Sequence, residues 1–248
     1  MEMIRVATFN VRGAWGPAQQ AIGHLLAENS VHLVCLQECW ASTVAPIRGA
    51  MGPGWYTSVT AGDDTSNVIL SREPFSAVRV ETLEVQGPYE TRSAVIATIV
   101  WRAFAPITVC CTHLEQRDEA ARLAQWAILR PHLDDATIVC GDLNALRQAD
   151  YSAEEWASIA KVRAEGEWAP PVSHLTARLE ADGFRDAWVA AGEGPVQSTC
   201  AYRTRIDYIL LSARFPGHFV PRSYRQCPAI ASKLSDHELV IVDVALRV

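Results

Sequence analysis

Runs of apolar and β-branched residues recur along the chain, separated by short polar or glycine-containing turns. Such runs predict β-strands, and ten of them are present. They read IRVATFN, VHLVCLQ, WYTSVTA, NVILS, SAVRVETLEV, SAVIATIVW, PITVCCTH, ATIVCG, RIDYILLS and ELVIVDVALRV. Several follow one another with only short turns, as residues 67–101 do, which favours hairpins and antiparallel pairing in that region.

Helical patterns lie between some of these strands. Residues 17–29 have a proline at the start and an apolar face, and residues 118–129 carry a broad apolar stripe. Residues 152–164 begin with Ser-x-x-Glu, the sequence of a capping box, while residues 174–181 and the segment DAWVAAG predict shorter helices. This order predicts an α/β (α+β) protein: two mixed, largely antiparallel sheets packed as a sandwich with helices outside, rather than a doubly wound parallel sheet.

Length and composition are those of one globular domain covering residues 1–248. Hydrophobic residues make up 49% of the chain, enough for a sizeable core. The formal net charge is −6, whereas proteins that hold many phosphates by bulk charge are more often basic. An enzyme that binds divalent cations escapes that argument, because the metal dominates the charge of its site.

The seven cysteines form no CxxC pair, and four of them lie in apolar strand-like runs. We therefore interpret them as buried free thiols of a reducing compartment rather than a disulfide or zinc framework. The N-terminus lacks the pattern of a signal peptide, and no apolar run is long enough to cross a bilayer. We expect an intracellular protein, cytoplasmic and monomeric, without stable membrane insertion.

Polar residues that can bind metal or transfer protons stand at the ends of six apolar strands. They are Asn10, Glu38, His113, Asp142 with Asn144, Asp207, and Asp236 with His237. Each alone has an ordinary explanation: a turn residue, a structural histidine, or, for Asp207, an ion pair with Arg205. Six such endings in one domain favour a function, because catalytic groups gather on strand ends and loops of a rigid scaffold.

The segment GDLN illustrates the two interpretations. It is a good turn sequence, since glycine, aspartate and asparagine all tolerate turn geometry. Asp142 and Asn144 are also two residues apart, so on an extended chain both side chains face one side. That spacing allows both to point at one phosphorus atom.

The residue types favour a particular chemistry. Carboxylates and amide oxygens are hard donors that suit Mg²⁺ or Mn²⁺, which keep several waters and bind substrate phosphate. Two histidines, with aspartates available to orient them, suit proton transfer. A hard-cation site with acid–base histidines favours hydrolysis at phosphorus.

The motifs resemble the endonuclease/exonuclease/phosphatase superfamily, whose fold is that of deoxyribonuclease I. The matching pieces stand in the family's order and run from residue 8 to 240: TFNVRG, LQE, NVILSREP, ETRSAV, THLE, GDLNA, TRIDYILLS and SDHELV. The resemblance implies a two-sheet sandwich with the site at one edge, where loops of both sheets meet. It also implies a divalent-metal-dependent phosphoester hydrolase.

The resemblance assigns a role to each matching residue. Asn10, Glu38 and Asp236 are implied to be metal ligands, and Asp142 to orient or deprotonate the attacking water. Asn144 is implied to contact the phosphate, His237 to act with Asp207 on the scissile phosphate, and His113 to protonate or stabilise the leaving side. Asn67 and Arg92 are implied to support the phosphate, although Arg92 has the alternative of a surface ion pair with Glu90.

The first prediction for the substrate is nucleic acid, cleaved by a phosphodiesterase or nuclease, and two alternatives remain open. A phosphodiesterase acting on DNA or RNA is favoured by four arginines in motif-flanking loops, namely Arg92, Arg117, Arg203 and Arg205. An enzyme for a small-molecule or lipid-headgroup phosphoester is favoured by the acidic charge and the lack of a basic extension. A binding protein with an inactive site is disfavoured, because every expected polar position is filled.

Overall fold

The computed structural model describes residues 2–59, 67–102 and 104–247. Thirteen strands and six α-helices are present in this part of the chain. The strands are β1 (Glu2–Asn10), β2 (Leu33–Gln37), β3 (Tyr56–Val59), β4 (Val68–Ser71), β5 (Phe75–Leu83), β6 (Arg92–Val100), β7 (Pro106–His113), β8 (Thr137–Asp142), β9 (Arg185–Asp186), β10 (Asp207–Leu211), β11 (Gly217–Phe219), β12 (Arg225–Cys227) and β13 (Leu239–Leu246). The helices are α1 (Pro17–Glu28), α2 (Ala41–Ala50), α3 (Glu119–Leu129), α4 (Ala153–Glu165), α5 (His174–Ala181) and α6 (Ala187–Ala191).

The strands form two mixed sheets. The first has the order β11-β13-β1-β2-β4-β3, with β12 also paired to β13, and the second has the order β5-β6-β7-β8-β10-β9. Each sheet has one parallel pair, β1 with β2 and β7 with β8, and the remaining described pairs are antiparallel. The prediction of two mixed, largely antiparallel sheets is confirmed.

Alternate residues of the central strands divide between two apolar layers, as the two-residue period of a strand requires. In β1, Ile4 and Val6 pack into the core between the sheets, whereas Ala7 and Phe9 pack under α1 and α2. A third apolar cluster lies between the second sheet and α3 and α5. The molecule is therefore a sandwich with helices on both outer faces.

Local sequence explains where two of the helices begin. The predicted helix at residues 118–129 begins at Asp118, whose side chain accepts a hydrogen bond from the Ala121 amide. The capping box of α4 is present, with Ser152 and Glu155 exchanging side-chain and backbone hydrogen bonds. Of the predicted strand WYTSVTA, the last two residues lie outside the described part of the chain.

One helix and three short strands are additions to the prediction. Helix α2 contains Pro46 and a weak apolar face, so its sequence carries little helical signal. The short strands β9, β11 and β12 are edge pieces of two or three residues, too short for periodicity to detect. All seven cysteines are buried free thiols, and none of the helices in the described ranges is long and apolar enough to cross a membrane.

Candidate active site

Sheet register brings three of the candidate residues side by side. His113 at the end of parallel β7 pairs with Asp142 at the end of β8, and Asp142 pairs with Asp207 at the start of antiparallel β10. From the facing sheet, Asn10 ends β1 beside the end of β2, which leads directly into Glu38. The polar ends of strands from both sheets therefore lie at the same edge of the sandwich.

Gly141 makes the close approach of β7 and β8 possible. A Cβ atom built on Gly141 would lie 1.9 Å from the carbonyl oxygen of Thr112, the residue it pairs with in the register. Only glycine fits this position without moving a strand. The glycine of the GDLN segment thus sets the spacing of His113 and Asp142.

One carboxylate oxygen of Asp142 is the centre of the cluster. Asp142 Oδ2 accepts a hydrogen bond from Asn10 Nδ2 at 3.1 Å and lies 3.6 Å from the Nε2 atoms of both His113 and His237. The other oxygen, Oδ1, accepts the backbone N–H of Asn144 at 3.0 Å. Burial raises the pKa of Asp142 to about 7, with the negative charge of Asp207 acting in the same direction.

His237 and Asp207 form a buried pair. His237 Nδ1 lies 2.9 Å from Asp207 Oδ2, and the backbone amides of Ile206 and Asp207 both donate to Thr199 Oγ1. Burial lowers the pKa of His237, but the charge and hydrogen bond of Asp207 outweigh it and raise that pKa well above its ordinary value. His237 is thus a cation aimed at Asp142. Asp207 pairs with this histidine and not with Arg205.

His113 has the opposite electrostatic environment. Burial lowers the pKa of His113 well below its ordinary value, and the positive charges of Arg92 and His237 add to this effect. Arg92 Nη1 lies 3.3 Å from His113 Nδ1, and Arg92 Nη2 forms an ion pair with Glu90 at 3.0 Å. Arg92 is buried, and it both forms the expected ion pair with Glu90 and lies beside His113. The cavity therefore holds one neutral and one charged imidazole.

Two of the three predicted metal ligands, Asn10 and Glu38, are in direct contact. The Nδ2 group of Asn10 lies within 3.1 Å of carboxylate oxygens of both Glu38 and Asp142. The carboxylates of Glu38 and Asp142 and the amide oxygen of Asn10 are hard donors, so these residues would suit Mg²⁺ or Mn²⁺. Asp236 lines the same cavity, where its carboxylate pairs with Arg12 Nη1 at 3.3 Å.

A second set of possible ligand atoms lies deeper. Asp142, Asp207 and His237 are all buried, and one ligand atom from each lies within 4.8 Å of the others. A cation bound there would compete with the hydrogen bond between Asp207 and His237. Asp142 belongs both to this buried cluster and to the group around Asn10.

Two backbone positions in the site have unusual conformations. Glu38 and Asn144 adopt positive φ angles of 50° and 51°, a region that non-glycine residues seldom occupy. The Asn144 side chain donates to the Leu114 carbonyl oxygen at 3.0 Å, which fixes the loop after β8 to the loop after β7. Strain of this kind is frequent where a side chain must be held in one functional orientation.

Asn67 lies next to this group rather than in it. It is buried at the start of β4, where Nδ2 donates to the Ser93 carbonyl oxygen at 2.9 Å and Oδ1 accepts from Cys111 Sγ. Ser93 follows Arg92, so Asn67 holds the strand that carries this arginine. Its implied role on the phosphate side remains a prediction.

Two residues at the site were not among the predicted site residues. Arg12 lies two residues after Asn10, a spacing that could have identified it, whereas Thr199 lies in a loop with no motif. Arg205, which was expected to be available for phosphate, is buried and bound to Asp150 and Asp186 at 2.7 Å each. It holds the loop before β10 in place instead.

These groups lie at one end of a cleft of about 870 Å³. Glu38, His113, Asp142, Asp236 and His237 form this end. The other end extends along α4 and the loop before β10. A volume of this size is typical of a binding site for a small molecule.

The sequence matches the family model described as the endonuclease/exonuclease/phosphatase family over residues 7–237. The chain belongs to this family. Membership supports a phosphoester hydrolase of the general kind that depends on divalent metal, and the described chain contains a buried cluster of Asp142, Asp207 and His237. A search among curated proteins finds no match.

Solved structures of several proteins have the same fold. A conserved protein of unknown function from Enterococcus faecalis V583 is 17% identical, with 98% of this chain and 100% of that chain covered and a TM-score of 0.77. A mannosyl-6-phosphatase from Bacteroides thetaiotaomicron is 15% identical, with 98% and 100% covered and a TM-score of 0.71. The catalytic domain of human nocturnin with a bound sulfate anion is 17% identical, with 99% and 94% covered and a TM-score of 0.70.

Proposed function

We propose that this protein hydrolyses a phosphoester bond with the help of a divalent cation, by in-line attack of water on phosphorus. The observation that carries the proposal is the convergence on Asp142 Oδ2 of an asparagine amide at 3.1 Å and of two imidazoles at 3.6 Å. Two histidines with opposite pKa shifts beside one carboxylate are suited to acid–base chemistry.

We assign Asp142 as the general base that accepts a proton from the attacking water. A carboxylate whose pKa is raised to about 7 accepts a proton readily near neutral pH. In this step the water oxygen forms a bond to phosphorus, its proton passes to Asp142, and the ester P–O bond on the opposite side breaks. Asn144, whose backbone amide holds Asp142 Oδ1, keeps the carboxylate oriented.

The two histidines act on opposite sides of the phosphoryl group. His237, held as a cation by Asp207, contacts the phosphate oxygens and stabilises the negative charge that develops there. His113 serves the leaving oxygen, which takes up a proton as its bond to phosphorus breaks. A bound phosphate brings negative charge next to His113 and so offsets the positive charge of Arg92, which favours protonation of the imidazole.

Asn10, Glu38 and Asp236 are the residues assigned to hold the cation, Mg²⁺ or Mn²⁺. When bound, such a cation polarises the phosphoryl oxygen and neutralises part of its charge. Arg92 positions His113, and Asn67 supports the strand of Arg92.

The substrate that the geometry favours is a phosphoester of a small molecule. The cleft of about 870 Å³ has the size of a small-molecule site, and the formal charge of −6 does not favour extended contact with a polyanion. Cleavage of DNA or RNA is the second candidate, because Arg12, Arg117 and Arg203 are exposed along the cleft.

A substrate panel with Mg²⁺ or Mn²⁺ tests the proposal. It contains bis(p-nitrophenyl) phosphate, small phosphomonoesters, phosphoinositides, sphingomyelin, plasmid DNA, and single-stranded, abasic and 5′-tyrosyl oligonucleotides. We expect turnover of the small esters, and a fall to background in EDTA that added metal reverses. Full activity in EDTA would contradict the metal assignment, and cleavage of nucleic acids alone would support the second candidate.

A further inference from the structure

The cleft continues beyond the catalytic residues into a second region, which we name the annex. Three separate segments form it: the loop after β7, the end of α4 with the loop that follows, and the loop before β10. The annex is defined by five side chains in these segments: Arg117, Arg163, Trp168, Tyr202 and Arg203.

Direct contacts join the three segments. The Arg163 guanidinium lies 5.5 Å from the ring centroid of Trp168 and donates to the carbonyl oxygens of Ala169 and Arg117. The ring of Trp168 meets that of Tyr202 edge-on, with centroids 6.2 Å apart. Arginine side chain, indole and phenol therefore form one continuous wall of the cleft.

The annex contains the positive charges of three arginines. Over the described residues, Arg117, Arg163 and Arg203 form no ion pair with an aspartate or glutamate. The neighbouring Glu119 is bound to the Arg122 side chain and the Leu175 amide, and Glu115 accepts the backbone N–H of Arg117. Burial, with the nearby positive charge of Arg122, lowers the pKa of Arg163 to about 10, and the negative charge of Glu119 opposes this shift.

Exposed apolar surface accompanies these charges. Tyr202 is 66% exposed, Val162 is 51% exposed, and Trp168 is half-buried. An exposed aromatic surface inside a cleft, next to unpaired arginines, is typical of a ligand site rather than of a solvated helix face. A flat ring can stack on Tyr202 or Trp168 while an anionic group reaches the arginines.

We propose that the annex binds a second part of the substrate, a flat ring bearing an anionic group, while the scissile phosphoester lies at His113, Asp142 and His237. The substrate class is a small phosphoester of nucleotide type with two separated anionic groups. This inference rests on the proposed function, since it assigns the catalytic end to the scissile group. The arginines supply affinity for the second anion, and the rings supply affinity for the base.

The test measures binding by calorimetry in Mg²⁺, on protein that carries Asp142→Asn so that the ligands are not consumed. The probes are inorganic phosphate, adenosine 5′-monophosphate and adenosine 3′,5′-bisphosphate. We expect the bisphosphate to bind at least about tenfold more tightly than the monophosphate, as a charge-assisted contact implies. The paired change Arg117→Gln and Arg203→Gln should remove this difference and leave the binding of inorganic phosphate unchanged.

Matched variants separate specific from general effects. Arg222→Gln is the control for Arg203→Gln, because both arginines are exposed and have φ angles near 60°, but Arg222 does not line the cleft. Tyr202→Ala should weaken both nucleotides and spare inorganic phosphate, whereas Tyr56→Ala, on an exposed tyrosine of β3, should change none. Thermal unfolding of each variant confirms that it is folded.

Equal affinity for the two nucleotides would overturn the proposal that the annex binds a second anionic group. An unchanged bisphosphate affinity in the double arginine variant would also overturn it. The proposed function is judged separately, by hydrolysis of bis(p-nitrophenyl) phosphate with the unaltered chain. Selective bisphosphate binding without hydrolysis would support the annex and contradict the proposed function. Hydrolysis without selective bisphosphate binding would support the proposed function and contradict the annex.

Discussion

The two ends of the cleft are built in different ways. At the catalytic end, strands of both sheets hold His113, Asp142 and His237, which are buried and bound to one another. At the annex, Arg117, Tyr202 and Arg203 lie on two loops and are exposed, and the arginines form no ion pair with an acidic residue within the described chain. The buried groups of the first end contact one another, whereas the exposed arginines of the second end, Arg117 and Arg203, are available to a ligand. The comparison indicates that the catalytic groups depend on the two sheets and that substrate choice depends on α4 and two loops.

Asp142→Asn should produce the largest difference in effect between the two ends, because it impairs catalysis and leaves the annex intact. The amide cannot accept the proton of the attacking water, so we expect kcat to fall about 10²–10⁴-fold on every hydrolysed ester. Because asparagine has the same shape, nucleotide binding at the annex should persist. Steady-state kinetics on bis(p-nitrophenyl) phosphate and calorimetry measure the two effects.

Asp243→Asn is the matched control for this change. Asp243 is an aspartate of β13 that accepts two hydrogen bonds from Arg5 and lies away from the cleft. Its loss should reduce stability and leave kcat unaltered. If Asp142→Asn retained more than about a tenth of the original kcat, Asp142 would not be the proton acceptor.

Gly141→Ala tests whether the scaffold sets the catalytic geometry. The new Cβ would overlap the Thr112 carbonyl oxygen, so β7 and β8 must separate, at a cost of about 1–3 kcal/mol or more. Since His113 and Asp142 stand on these two strands, kcat should fall along with the free energy of unfolding. Chemical denaturation and kinetics give the two values.

Gly49→Ala serves as the control in α2, where the same Cβ would meet no atom within 4 Å. It should leave kcat unchanged and add up to about 1 kcal/mol of stability, because alanine favours the helix. A Gly141→Ala protein as stable and as active as the original would mean that the strand spacing does not control the site.

The same contrast explains what sequence reasoning could predict. The strands and the meeting of six polar strand ends follow from apolar runs whose terminal residues are polar, as in ATIVCGDLNA. Helix α2 was missed because Pro46 and a weak apolar face carry no helical pattern. Arg117 and Arg203 of the annex were candidate phosphate contacts, but the partners of Arg205 and the contact between Trp168 and Tyr202 were missed, because they depend on tertiary contacts between distant segments, which periodicity does not encode.

The smallest expected effect concerns the helix that carries part of the annex. Ser152→Ala removes one half of the α4 capping box, in which the Ser152 hydroxyl accepts from the Glu155 amide. The loss should destabilise the start of α4 by about 1 kcal/mol, so amide hydrogen exchange should quicken in Ala153–Glu165. Ser152→Asp, which keeps an acceptor at the cap, should exchange at the original rate. Since Arg163 lies two turns or more beyond the cap, bisphosphate affinity should weaken by a few-fold at most, and turnover of bis(p-nitrophenyl) phosphate should not change. If that turnover fell as much as the affinity did, the two ends of the cleft would be coupled through α4. The conclusion that catalysis and substrate binding depend on separate parts of the fold would then be wrong.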